Sequence, residues 1–218
     1  MRISLKFFAK DLALPVYYNH LLQSFIYHSL DETIAKFYHE KGYNFLKRRF
    51  KLFTFSRLLG KNRAFDPSTR TITLDGRVYL KIGAVDAKLL ESMATYLVKK
   101  GSFRLGRHVC ELESVEVEMP ILPDGPVLVK ALSPITIRST LSTPEGKKKT
   151  YFYTPFEAEF SEKLLENLKR KARAYLGEEA DLPKLREAYI HPVRVSKKNE
   201  AIVNFKGFGL RAGRGFMR

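Results

Sequence analysis

One cysteine, Cys110, among 218 residues leaves no material for an internal disulfide framework, and such paucity fits a reducing cytoplasm. Long apolar runs are missing too. None approaches the ~20 residues that a membrane-spanning helix needs, so no membrane is expected as partner. No signal-peptide pattern precedes the first strand-like segment. The five histidines, at 20, 28, 39, 108 and 191, have no second cysteine nearby and none of the paired spacing of a zinc finger. His108 and Cys110 share one strand face without obvious companions, and Cys110 reads as a small core residue. Neither a metal nor another cofactor is therefore expected. Helix-turn-helix, basic-zipper and zinc-finger patterns are absent as well, which argues against reading of duplex DNA.

The most informative scarcity is local. From Lys41 to Phe65 there are eight basic residues and not one Asp or Glu. Like charges repel, so such a run implies either a polyanionic partner or a solvated, slightly strained face. The imbalance runs through the whole chain, which carries a formal charge of +16. Divided at Pro120, it holds 20 basic against 12 acidic residues before that point and 19 against 11 after, so each half carries +8. Charge spread through a body with 44% hydrophobic and 12% aromatic residues belongs to a packed, basic protein and not to a detachable tail. Nucleic acid is the partner this favours.

The order of elements reads as α+β. "MRISLKFFA" alternates Ile3, Leu5 and Phe7 inward, the period of a half-buried strand, and "LPVYY" reads as a loop. Asn19 is a candidate cap for a helix over "HLLQSFIYHSL", and Asp31 for a second helix, "ETIAKFYHEKG", ending at Gly42. "FKLFTFSRL" returns to strand, and "TRTITLDGRVYLKIGAV" reads as two strands joined by an Asp75-Gly76 turn. An Asp-capped helix, "DAKLLESMATYLVKKG", and one long strand, "SFRLGRHVCELESVEVEM", complete a βαββαβ unit. The turn cluster Pro120, Pro123, Asp124, Gly125 and Pro126 then marks a boundary. After it the pattern restarts, with "VLVKALSPITIRS" as strand, a helix within "TPFEAEFSEKLLENLKRKARAYLG", and strands in "YIHPVRVS" and "EAIVNFKGFGL". The expectation is a tandem pair of ferredoxin-like (RRM-like) domains, 1–119 and 120–218, the second lacking its last helix and strand.

Single-stranded RNA is held by phosphate neutralisation combined with aromatic stacking. Both residue types interleave around Phe45, Lys47, Arg48, Arg49, Phe50, Lys51 and Phe53. They do so again in "KKKTYFYTPF", where Lys147, Lys148 and Lys149 sit at an expected hairpin tip. The last 25 residues hold seven basic residues and one acid, Glu200. Arg194, Lys197, Lys198, Arg211 and Arg214 in that stretch are further candidate RNA contacts, the last two among glycines that let backbone approach phosphate.

RNA also carries its own nucleophile, the 2′-hydroxyl. Cleavage by internal attack needs one group to take a proton, one to give a proton, and cations to hold the charge on phosphorus. Histidine suits either proton role. His39 stands immediately ahead of the acid-free run. Were residues 19 to 41 one straight helix, His28 and His39 would lie near the same face, but a break at Asp31 voids that phase, so spacing alone does not choose between Tyr27 and His28.

"LPVYYNHLLQSFIYHSL", "FYHEKG" and "KLFTFSRLLG", in this order, resemble the N-terminal half of the CRISPR-associated endoribonucleases that cut precursor transcripts inside their repeats, the Cas-six family of the RAMP superfamily. "LVKALSPITIRS" resembles the opening strand of that family's second domain. The resemblance implies tandem ferredoxin-like domains and a cleavage site on Tyr27, His39 and Lys51. Tyr27 would orient or activate the nucleophile, His39 exchange protons, and Lys51 steady the phosphate. It implies metal-independent cleavage to a 2′,3′-cyclic phosphate and a 5′-hydroxyl, releasing mature guide RNAs. The implied partner is CRISPR repeat RNA, as a single strand or weak hairpin, with an interference complex and a homodimer as further implied assemblies.

The glycine-rich C-terminal signature departs from the family pattern: Met217 stands where its last glycine would be and no helix precedes it, so "GFGLRAGRGFM" reads as a strand hairpin ahead of that helix. Two other readings use the same charges. One is a non-catalytic member of the superfamily that grips repeat or guide RNA, and the other a general RNA chaperone.

Overall fold

The computed structural model describes residues 1–119, 125–133, 135–142, 144–180, 182, 188–193, 200–205, 208–213 and 216–217. The chain divides into two compact units, Met1–Ile121 and Leu122–Arg218.

The first unit is built on an antiparallel sheet. Strands β1 (Arg2–Pro15), β4 (Phe53–Phe55), β5 (Leu59–Asp66), β6 (Thr71–Ala84), β7 (Ser102–Leu105) and β8 (His108–Glu118) lie in the order β4-β6-β1-β8-β7, with β5 also on β6. Helices α1 (Asn19–His28) and α3 (Ala87–Lys100) connect β1 towards β4 and β6 to β7. A strand antiparallel to both β1 and β4 separates them, which is the split β-α-β arrangement of a ferredoxin-like unit. Apolar side chains of the sheet (Ile3, Leu5, Phe7, Leu80, Ile82) and of the helices (Leu22, Ile26, Leu89, Met93, Leu97) close into one core.

β1 runs further than its alternation suggests, to Pro15, and takes up the first two residues of the expected loop "LPVYY". Ile3, Leu5, Phe7 and Ala9 are buried, then Leu12 and Leu14, so the inward parity switches from odd to even. A bulge between Ala9 and Leu12 causes the switch: Lys10 and Asp11 together oppose Asp75. Asp11 takes φ +46°, and its N–H donates to Asp75 Oδ1 at 3.3 Å. Asp75-Gly76 is therefore not a hairpin turn. β6 is continuous, and its positive-φ Gly76 faces Ala9 beside the bulge.

Three further expectations change. "SFRLGRHVCELESVEVEM" is not one strand but the β7–β8 hairpin, turning at Gly106, whose φ is +62°. Leu59–Asp66, unread in the sequence, forms β5 and pairs with β6. Asn19 is the first residue of α1 and not its cap; Tyr18 holds that position without a side-chain cap, and its hydroxyl accepts from Leu58 N–H at 3.1 Å. The caps at Asp31 and Asp86 are as expected, each carboxylate accepting from the amide two residues on. Gly101 closes α3 at φ +67°.

The second unit holds a hairpin of β10 (Ile137–Ser142) and β11 (Lys148–Tyr153), then helix α4 (Ala158–Leu176). Glu157 precedes α4, and its carboxylate accepts from Thr154 N–H and the Tyr151 hydroxyl. The strand expected over 127–139 is in two pieces, β9 (Val129–Lys130) and β10. Of "YIHPVRVS", Pro192–Val193 is strand (β12) among the described residues; it pairs with β15 (Phe216–Met217), which also pairs with β9. The glycine-rich segment supplies one strand of a hairpin, β14 (Phe208–Gly213), paired with β13 (Glu200–Phe205), so "EAIVNFKGFGL", expected as one strand, is divided between two.

Candidate active site

His39 sits in an unusual turn. Helix α2 (Glu32–Lys36) runs into a single π-helical turn, Phe37–Lys41, closed by Gly42 N–H donating to the Phe37 carbonyl at 2.7 Å. Such turns occur mostly as local insertions in helices and often at functional sites. Within it Tyr38 is 1% exposed and packs edge-on against Phe53, with ring centroids 5.9 Å apart. Anchoring Tyr38 in the core turns its neighbour His39 outward, and His39 is exposed.

Gly42 then reverses the chain. Its φ is +64°, and a Cβ there would lie 2.6 Å from the Phe50 carbonyl oxygen. Only glycine lets the two backbones approach so closely. The reversal leads into a short hairpin, β2 (Tyr43–Phe45) with β3 (Arg48–Phe50), in place of the expected strand entry. Leu46 at its tip is 72% exposed, and Lys47, Arg48 and Arg49 are all exposed. The hairpin returns the chain beneath the π turn and delivers Lys51.

Tyr27, His39 and Lys51 meet. The Tyr27 and His39 rings are 5.7 Å apart at 79°, edge to face. Tyr27 is half-buried, backed by Phe53 at 5.9 Å. Lys51 Nζ donates to the His39 backbone carbonyl at 2.7 Å. Arg49 Nη1 donates to the next carbonyl, that of Glu40. The two cations thus cap the C-terminal carbonyls of the π turn, where a helix gathers negative partial charge. His28 faces elsewhere, its Nδ1 within 2.7 Å of the Ser24 carbonyl. Of the two residues that spacing had left open, Tyr27 is the one whose ring lies against that of His39.

The environment sets the protonation of two of these groups. Burial raises the Tyr27 phenol above the ordinary tyrosine value, opposed in part by a hydrogen bond from Gln23. Burial lowers the Lys51 ammonium below the ordinary lysine value, with the neighbouring Arg49 charge adding to the effect. Gln23, Phe53 and the Arg49–Glu40 contact were not legible as parts of this site. Phe53 stands two residues after Lys51 on the same segment, the one signal that pointed to it.

The remaining candidates are dispersed. Lys147, Lys148 and Lys149 are exposed at the start of β11. Arg211 lies on β14, opposite Ile202. Arg194, Lys197, Lys198 and Arg214 lie outside the described residues. Among the described residues, no group of three or more His, Cys, Asp or Glu is placed to hold a metal ion. No helix among them is long and apolar enough to cross a membrane.

The split β-α-β sheet of the first unit thus carries Tyr27, His39 and Lys51 beside a short basic hairpin. Solved structures agree on the fold. A CRISPR-associated Cas6 protein superposes with a TM-score of 0.72 at 24% identity, covering 100% of this chain and 86% of that one. A Cas6-related protein from Pyrococcus furiosus gives 0.78 at 18%, covering 100% and 85%. A RAMP protein described as binding different RNA substrates gives 0.76 at 20%, covering 100% and 87%.

The family is evident from sequence. Residues 13–116 match the model for the N-terminal part of the CRISPR-associated protein Cas6, and residues 117–217 the model for its C-terminal part. The chain is 30% identical over 186 residues to the CRISPR-associated endoribonuclease Cas6 1 of Methanocaldococcus jannaschii, covering 84% of this chain and 69% of the relative. The chain belongs to the Cas6 family.

Proposed function

We propose that this Cas6-family chain is a metal-independent endoribonuclease that cleaves CRISPR precursor RNA within its repeats. The convergence of Tyr27, His39 and Lys51 beside a basic hairpin is the observation that carries this reading. Family membership supports the substrate, since the M. jannaschii relative is an endoribonuclease by name.

In the proposed reaction the 2′-oxygen at the scissile nucleotide attacks the adjacent phosphorus and the bond to the 5′-oxygen breaks. The products are a 2′,3′-cyclic phosphate and a 5′-hydroxyl. His39, exposed at the lip of the site, removes the 2′-hydroxyl proton. Tyr27, held protonated by its surroundings, acts as donor towards the leaving 5′-oxygen or a non-bridging oxygen. Lys51 contributes positive charge where the phosphorane forms and braces the turn that carries His39. Lys47, Arg48 and Arg49 neutralise flanking phosphates. Lys147, Lys148 and Lys149 do the same from the β10–β11 hairpin.

The test is incubation with labelled repeat RNA in chelator, then end-group mapping of the fragments. His39→Ala should slow cleavage by ~10²–10⁴-fold while leaving repeat binding nearly intact. A substrate with a 2′-deoxy sugar at the scissile nucleotide should bind and resist cutting. Retarded but uncut RNA with the unaltered protein would instead support a gripping role alone.

A further inference from the structure

About 100° around α1 from Tyr27 lies a groove of about 540 Å³ that the proposed chemistry does not use. It opens between the end of α1, the end of α3 and the β7–β8 hairpin. Its floor is the stacked pair Phe25 and Phe103, with ring centroids 4.4 Å apart at 28°. Tyr96, 38% exposed, forms one wall. Around the mouth stand His28, Lys100 and Arg104, all exposed, and no acidic residue lines the groove.

An apolar floor, an aromatic wall and a cationic rim match the parts of a nucleotide: a base that stacks and a phosphate that needs neutralising. The volume lies within the ~300–1,000 Å³ range of small-ligand sites. His28 strengthens the match. A carbonyl can only accept, so the Nδ1 that meets the Ser24 carbonyl carries the proton, and Nε2 is the nitrogen that a ligand would meet. Polar recognition is thereby added to the charge of Lys100 and Arg104.

Position supplies the rest. Tyr27 and His28 are consecutive on α1, about 100° apart around a helix only ~10–12 Å across. A strand whose scissile phosphate lies at Tyr27 and His39 can pass over the end of α1 and reach the groove within a few nucleotides. We infer that this groove is a second RNA subsite, holding one unpaired nucleotide of the strand that flanks the scissile phosphate. The inference rests on the proposed function, because it takes RNA as the polymer bound.

The experiment compares two RNAs, each 2′-deoxy at the scissile nucleotide: a full-length repeat and a core trimmed to the two nucleotides that share the scissile phosphate. Anisotropy titrations over a range of salt are made with the unaltered protein and with the double variant Lys100→Glu, Arg104→Glu. Both sites are exposed, and a thermal melt checks that the fold is retained. The variant should bind the full-length repeat ~10–100-fold more weakly, with a log–log salt slope shallower by about 1.4, while binding of the core is unchanged. Photo-crosslinking of 4-thiouridine placed at successive flanking positions should map one of them to the peptide containing Tyr96. Equal affinity and slope for the full-length repeat, equal weakening on both RNAs, or crosslinks only elsewhere would overturn the subsite and leave the proposed function standing. Failure of the unaltered protein to bind either RNA would overturn both.

Discussion

Lys51 grips the turn that carries His39, its ammonium donating to that residue's backbone carbonyl at 2.7 Å across 12 positions of sequence. The same nitrogen is thus a brace for the imidazole and a charge beside it. Replacing Lys51 with Met keeps most of the side-chain bulk and removes both. Cleavage should fall by ~10²-fold or more, and the His39 imidazole resonances should shift in NMR spectra of the free protein. A loss of cleavage with unmoved His39 signals would assign Lys51 to charge alone.

The pH profile separates the proton roles. Tyr27 is raised, so it ionises only above the ordinary tyrosine value of about 10; Lys51 is lowered, so it loses its charge below the ordinary lysine value of about 10.4. Loss of the Lys51 charge is the expected cause of the alkaline fall in cleavage rate, and two substitutions test it. Lys51→Arg should move that limb upward, whereas Tyr27→Phe should lower the rate about tenfold and leave the limb in place. Single-turnover rates corrected for background hydrolysis provide the check.

Gly42→Ala tests the reversal behind the π turn. The added methyl carbon meets the Phe50 carbonyl oxygen at 2.6 Å in a backbone with φ +64°. The variant should lose about 1–3 kcal/mol of stability in denaturant titration. Cleavage should fall further than global unfolding explains, because His39 and Lys51 flank the strained point.

Cys110 is fully buried, and burial pushes its thiol up to about 12. Native protein should resist iodoacetamide at pH 8, as read by mass spectrometry, and react promptly in guanidinium. Rapid native alkylation would contradict the packing of β8 against β7.

Legibility in the sequence depended on whether a signal was local. Helix α3 could be read because Asp86, Gly101 and the Leu89–Met93–Leu97 spacing all lie within 16 residues and agree. Asp75-Gly76 misled for the same reason: its turn chemistry is real, but the chain uses it to seat a bulge against Ala9 and Asp11, 64 to 67 residues away. Strand β5 shows little alternation in "LGKNRAFD" and exists through pairing with β6. His39 and Lys51 were identifiable as residues, by charge context and by resemblance. Their hold on each other was not, since it joins a side chain to a backbone carbonyl and leaves no trace in residue types.

The π turn makes the aim of His39 a matter of counting. A π turn accommodates one more residue per loop than an α turn. A variant one residue shorter between Lys36 and Gly42 would close as regular α-helix and swing the downstream chain by about 100°. The imidazole would then point away from Tyr27 although every reactive side chain was still encoded. A one-residue deletion there should therefore silence the site as surely as removing the imidazole itself, with no reactive group missing from the chain.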